Sequence, residues 1–459
     1  MMPTLPERSR GNRRLRSGLL GPLAALALGL TSAPALADVS TVELGAAIKA
    51  AGGPKDVRAF YAARSHLPLW VHDGAIGAEA DLLLRLIETA ELDGLDPKDY
   101  RTRAISEAVD KARDGSPRAL AKAEVLLSRS FTALARDMRR PRDVGMIYAD
   151  PHLAPNVPSP RDLLREAAAA PSFRAYLENA GWMNPLYGQL RKAALGKLDS
   201  LQAHGEELRI VRLNLDRARA LPANPGQRYV LVDAAAGRLW MYQKGKAVGT
   251  MRVVVGRKTD QTPMMAALIR YASVNPYWNV PPDLVRTRVA PGAIESGAKY
   301  LKAKRFEVLS DWTDQARVVP AKEVDWQAIR DGRIEPRVRQ LPGPGNAMGQ
   351  MKFMFPNQLG VYLHDTPDKA LLRESDRMFS AGCVRVEDAP RLARWLFGKA
   401  IVAKSKTPEQ RVDLPQPVPV YLTYMTAAPA KDGVTLRPDV YGRDVIADKR
   451  AGSRRYASR

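Results

Sequence analysis

Val361-Tyr362-Leu363-His364-Asp365-Thr366-Pro367 is followed, after the fifteen residues from Asp365 to Phe379, by Ser380-Ala381-Gly382-Cys383-Val384-Arg385-Val386. The alternation of Val361 and Leu363 with polar partners predicts a strand that delivers His364 at its end, and Gly382 marks a loop just before Cys383. Cys383 is the single cysteine of the chain. His66, His72, His152 and His204 all lie in the N-terminal half, so His364 is the one histidine on the cysteine's side of the sequence. A free thiol, with a pKa of about 8.5, is mostly protonated at neutral pH and needs a base to become a nucleophile. One Cys and one His at this spacing suit a nucleophile and base pair. Two unrelated buried residues would give the same pattern.

Gly382 lets backbone approach a substrate carbonyl, so amides near Gly382 and Cys383 can face a developing oxyanion; a plain turn glycine is the other reading. Arg385 has the fork that holds a carboxylate and the charge that lowers a neighbouring thiol pKa, although a lone Arg in a basic chain also suits a solvated surface. No metal site is expected. One Cys and one His cannot complete one, and no carboxylate or histidine spacing supplies the rest. Nothing in the sequence calls for a cofactor.

Moving outward from this segment, Arg228 to Asp233, Arg238 to Gln243 and Ala247 to Val255 read as strands, separated by turns at Ala234 to Gly237 and Lys244-Gly245-Lys246. Further strands are predicted near Leu268 to Val274, Met351 to Phe355, Gly360 to His364 and 418–424. Ala389 to Phe397 predicts a helix capped by Asp388, with Pro390 in its first turn and Gly398 as its stop. More than seventy residues between Val274 and Met351 are rich in charge and Pro, too long for a plain loop, and predict an inserted subdomain over about 283–350.

Residues 38–222 predict helices. Leu82, Leu83, Leu86, Ile87 and Ala90 mark one, ended at Asp93-Gly94; Leu120, Ala123, Leu127, Phe131, Leu134 and Met138 mark a longer one; and the Pro-rich 151–160 reads as loop. The sequence thus predicts an α+β multidomain protein, an all-α domain at 38–222 followed by a mainly β domain at 223–447 that carries the insert.

At the N-terminus, five arginines precede the apolar run Gly18 to Leu30 and the small residues Ala35-Leu36-Ala37, which predicts a cleaved export signal over 1–37. The run is shorter than the roughly 20 residues a spanning helix needs. Removing five Arg and Glu7 from a net charge of +22 leaves +18. In an exported protein that charge points to wall polymer or lipid headgroups rather than nucleic acid. A basic tail closes the chain at 448–459.

The His364 to Cys383 spacing, with Ser380, Gly382, Val384 and Arg385, resembles the signature of the L,D-transpeptidase (YkuD-type) family. The likeness extends to the larger periplasmic subfamily. Phe60-Tyr61 through Leu69-Trp70, Gly94-Leu95-Asp96-Pro97 and Tyr100 are similar to its helical scaffold. Asn275-Pro276-Tyr277-Trp278-Asn279-Val280-Pro281-Pro282, Gly345 to Gly349 through Phe355-Pro356-Asn357, and Pro417 to Val420 through Tyr441 to Asp444 are similar to its catalytic blocks and its end. The resemblance implies Cys383 as nucleophile and His364 as base, an imidazole oriented by the carbonyl of Asp365, and Tyr362, Ser380, Gly382, Arg385 and Trp278 around the substrate. It also implies the insert as a substrate cap, no cofactor, peptidoglycan stem peptides as substrate, other wall-synthesis proteins as neighbours, and 3→3 cross-linking in the periplasm. Trimming of tetrapeptides, lipoprotein attachment and a non-catalytic wall-binding role stay open. Ala381 stands where many members have His, and no small peptidoglycan-binding module is legible between Asn184 and Pro222.

Overall fold

A computed structural model describes residues 40–445, so the expected export signal at 1–37 and basic tail at 448–459 lie outside the described residues. Helices α1 (Thr41–Ala51), α2 (Lys55–Ala63), α3 (Glu79–Glu88), α4 (Thr102–Lys111), α5 (Pro117–Arg139), α6 (Pro160–Ala168), α7 (Phe173–Glu178), α8 (Pro185–Leu195), α9 (Leu198–Ala203) and α10 (Gly205–Arg219) make up the first half. α5 is its axle. Ser116 caps it by accepting from the amide of Ala119, Pro117 opens its first turn, and Leu120, Ala123, Leu127, Phe131, Leu134 and Met138 bury one stripe. That stripe also buries Glu124, which accepts from the amides of Leu69 and Trp70 and from the Tyr61 hydroxyl and so pins the connector after α2. The short strands β1 (Val71–His72) and β2 (Ala75–Ile76) pair within this half, as does none of β3 (Ile147–Tyr148).

The second half begins with β4 (Arg228–Asp233), β5 (Arg238–Gln243), β6 (Lys246–Gly256) and β7 (Met265–Val274). Lys244 and Gly245, both with positive φ, form the two-residue turn between β5 and β6, whose twist matches that of the strands it joins. Next come β8 (Trp278–Val280), β9 (Phe306–Leu309), β10 (Val318–Val319) and β11 (Arg337–Gln340), which form a separate sheet in the order β10-β9-β11-β8. This cap has a core of its own, in which Val280, Val285, Val289, Leu301, Val308, Ile329 and Val338 meet. Its sheet starts at Trp278, earlier than the expected 283, because β8 is the edge partner of β11 and belongs to the insert by pairing.

The chain then returns through β12 (Met351–Met354), β13 (Leu363–His364), β14 (Met378–Ser380), β15 (Val384–Val386) and β16 (Gln410–Thr423), and ends in the hairpin of β17 (Ala427–Ala430) and β18 (Gly433–Leu436). The main sheet runs β12-β13-β15-β6-β5-β4-β16-β7, and β12 pairs with β7 in turn, so eight strands close into a ring. β3, from the helical half, extends β7 on the β12 side, pairing Ile147 with Met265 and Tyr148 with Ala266. The register of β16 on β7 shifts between Asp413 and Val418, where Pro415 and Pro417 have no amide to give the ladder.

The expected fold class holds: helices to residue 219, then a mainly β unit with an inserted subdomain. Packing does not respect the compositional change at 222. β3 crosses one way, while Met425 and Ala427 cross the other and are buried in the helical core. Of the expected strand Gly360 to His364, only Leu363 and His364 pair. Gly360 has φ +62 and belongs to the turn, and the Asn357 side chain holds that turn by accepting from the amides of Leu359 and Val361. The helix expected to reach Ala90 stops at Glu88, and a 3-10 turn (Ala90–Asp93) leads to Gly94 in the left-handed conformation.

Candidate active site

Strand register alone assembles most of the site. β13 and β15 run parallel with Leu363 opposite Val384 and His364 opposite Arg385, which sets Tyr362 beside Cys383 one step back. Side chains two apart on a strand share a face, so Tyr362, His364, Cys383 and Arg385 form a square on one face of the sheet. β12 adds Lys352, the antiparallel partner of His364. The rings of Tyr362 and His364 meet edge-on with centroids 5.7 Å apart, and the Lys352 ammonium lies 5.9 Å from the Tyr362 centroid.

His364 is 2 % exposed, and its Nδ1 lies 2.6 Å from the carbonyl oxygen of Asp365. That bond places the ring proton on Nδ1 and leaves Nε2 as an acceptor. Asp365 is held in its turn: its amide donates to the carbonyl of Met351, its Oδ2 accepts from the amide of Gln350 and its Oδ1 pairs with Lys369 Nζ at 2.7 Å. Burial, with help from Arg385 and Lys352, pushes the imidazole down to about 3, against the pull of Asp365. Burial also pushes the Cys383 thiol up, while hydrogen bonding from Tyr362 and the charges of Arg385 and Lys352 act in the opposite sense. The resting pair is therefore a thiol and a neutral imidazole.

The loop before Cys383 is fixed from several sides. Ser380 is buried and its hydroxyl donates to the Cys383 carbonyl at 2.5 Å while accepting from the Gly382 amide at 3.2 Å. Gly382 has φ +101, a backbone that residues with a side chain rarely adopt. Its carbonyl accepts from Thr262 Oγ1 at 2.8 Å, and Thr262 in turn accepts from the amide of Gly256. Of the two amides expected to face an oxyanion, that of Gly382 is thus engaged by Ser380. The Cys383 amide makes no backbone hydrogen bond among the described residues. Ala381 is exposed, so its side chain supports neither His364 nor Cys383.

Arg385 is half-buried, and its Nε is enclosed without a hydrogen-bond partner. Burial lowers its pKa, Asp368 opposes that, and Arg288 of the cap adds a like charge. An enclosed guanidinium with an unused donor favours an incoming anion. Trp278 is part of the cap sheet, partly buried, with its ring 6.3 Å from that of Phe306, and the carbonyl of its neighbour Tyr277 accepts from Lys352 Nζ at 3.4 Å. Two residues escaped the sequence reading. Lys352 is 8 % exposed in β12, and Glu409 fixes it at 3.0 Å while accepting from the Tyr277 amide and the Ser273 hydroxyl. A lysine between apolar strand residues was a signal of a sort, but nothing near Glu409 in sequence announces its partner.

Two family models match the chain. Residues 227–412 match the L,D-transpeptidase catalytic domain family (YkuD), and residues 55–193 match the Scaffold domain family. A curated Haemophilus influenzae protein, provisionally assigned as an L,D-transpeptidase, is 31% identical over 241 residues, which are 50% of this chain and 47% of that protein. The chain thus spans about half the length of this relative. An L,D-transpeptidase from Mycobacterium smegmatis superposes on 44% of the chain and 62% of its own, with 11% identity and a TM-score of 0.22. The Ldtfm–avibactam carbamoyl enzyme does so on 48% and 62%, with 12% identity and a TM-score of 0.20. Residues 227–412 are thus a YkuD-type L,D-transpeptidase catalytic domain by family match, behind residues 55–193 that match the Scaffold domain.

Proposed function

We propose that the chain is an exported peptidoglycan L,D-transpeptidase that forms 3→3 cross-links through a thioester on Cys383. The observation that carries the reading is the single thiol flanked, on one sheet face, by an imidazole with free Nε2 and a guanidinium with an unused donor. Cys383 Sγ attacks the carbonyl that joins the third residue of a tetrapeptide stem to terminal D-Ala, and His364 Nε2 takes the thiol proton as the bond forms. The Cys383 amide donates to the oxyanion. The tetrahedral species collapses, the C–N bond breaks, and the proton on His364 leaves with D-Ala. A side-chain amine on the third residue of a second stem then attacks the thioester; His364 accepts its proton and returns it to the sulfur. Arg385 binds a stem carboxylate, and the cap excludes water, which would otherwise hydrolyse the thioester.

Purified protein incubated with disaccharide-tetrapeptide tests this by mass spectrometry of the products. Free D-Ala and a dimer linked between third residues are expected. Tripeptide monomer alone would make the enzyme a carboxypeptidase. No product, together with no carbapenem adduct on Cys383, would leave a wall-binding scaffold without catalysis.

A further inference from the structure

The four-stranded cap sheet ends at β10, the strand farthest from β8. At strand spacings of about 4.8 Å, β10 lies roughly 14 Å across the sheet from β8. The loop from β9 to β10 presents Trp312, which is 62% exposed. A tryptophan displayed to water is costly, and this one is held in place. Arg337 Nη1 donates to the carbonyls of both its neighbours, Asp311 at 3.4 Å and Thr313 at 2.8 Å, and its guanidinium carbon sits 5.6 Å from the indole centroid. The Asp311 carboxylate accepts from the Ser310 hydroxyl at 2.6 Å and the Thr313 amide at 2.8 Å. Ser310 and Arg317 close the loop with bonds at 2.9 and 3.1 Å. Val318 on the same hairpin is 51% exposed, and Arg317 is exposed with no ion-pair partner among the described residues.

We infer that this hairpin is a stacking platform for the glycan strand of the wall polymer, with Trp312 under a pyranose ring and Arg317 against a stem carboxylate. The inference rests on the reading of the chain as a peptidoglycan enzyme. Pyranose rings present C–H groups on a flat face, and these match the electron-rich face of an indole whose other side is backed by a cation. The stems that hang from the strand supply carboxylates, with which the exposed Arg317 can pair beside Asp311 and Asp314. A rigid aromatic gives contact area with little entropy lost on binding. The hairpin belongs to the cap sheet and not to the pair of β13 and β15 that carries His364 and Arg385, so it holds the polymer rather than the reacting bond.

Co-sedimentation of the full protein with purified sacculi tests the platform. Trp312→Ala is expected to cut the bound fraction at least five-fold, Trp312→Tyr to keep most of it, and both to unfold with the wild type, since the side chain lies outside the core. Equal sedimentation of Trp312→Ala and wild type would overturn the proposal. So would a Trp312-dependent attachment of the protein to anionic lipid vesicles but not to sacculi, which would assign the hairpin to a membrane. The carbapenem adduct on Cys383, followed by intact mass, reports separately on the acylation site, so a failed enzyme reading and a failed platform are told apart.

Discussion

His364 and Arg385 are direct partners in the parallel ladder of β13 and β15, which sets a guanidinium beside the imidazole proposed as the base. Burial, Arg385 and Lys352 together hold the ring neutral, with a pKa of about 3. Carbapenem acylation should therefore show no ionisation of the imidazole between pH 5 and 8. Arg385→Gln removes a cation and should bring an acid limb up towards the ordinary histidine range. Stopped-flow acylation across pH measures both, and a wild-type inflection near 6.5 would contradict a neutral resting imidazole.

The same depression makes stability depend on pH. The unfolded chain binds a proton at His364 from about 6.5 downwards, whereas the folded chain does so only near 3. Unfolding therefore takes up a proton between these values, so this part of the stability is complete above 6.5 and is lost as pH falls towards 3. The full effect is on the order of 5 kcal/mol. Urea titrations at pH 7.5, 5.5 and 4.5 should give a steeper loss for wild type than for His364→Gln.

Gly382→Ala tests the nucleophile loop. There is room for a methyl group, with the nearest atoms at 3.8 Å, but φ is +101. The penalty is thus backbone strain, about 1–3 kcal/mol. Relief of that strain would turn the Cys383 amide, so acylation should fall by about 10²-fold or more. An acylation rate within a factor of three of wild type would show that the amide is not the oxyanion donor.

Arg217 on α10 pairs with Asp444 at 2.7 Å, their side chains 1% and 7% exposed. Asn214 and Arg217 also reach Thr426, which joins Asp444. Arg217→Met leaves a buried carboxylate unpaired and should cost about 3–5 kcal/mol, whereas Arg217→Met with Asp444→Leu should recover much of it. Denaturant unfolding of the single and double variants decides this, and additive losses would mean that the pair is not coupled.

Local features of the fold were legible. Asp388, Pro390 and Gly398 bracket the helix Ala389–Phe397 because capping chemistry acts within a few residues, and β4 and β5 follow directly from alternation and their turns. The His364 and Cys383 spacing was legible because the parallel pairing of β13 with β15 brings both to one face. Lys352 and Glu409 were not, since 57 residues separate them and only the closing of β12 on β7 and β13 joins their surroundings. The pairing of β3 was hidden for the same reason. Two residues have no periodicity to read, and their partners lie beyond residue 264.

Ile147 and Tyr148 occupy the stretch of β7 that β12 leaves uncovered, and the amides of Ile147 and Ala149 donate to the carbonyls of Met264 and Ala266. A fragment begun after residue 222 would lack them. Its Met265 and Ala266 would present open backbone groups beside an apolar surface, a template on which other copies could add a strand. The helical half is in this sense a solubility device for its neighbour, and recombinant fragments cut at the compositional boundary would tend to polymerise edge to edge.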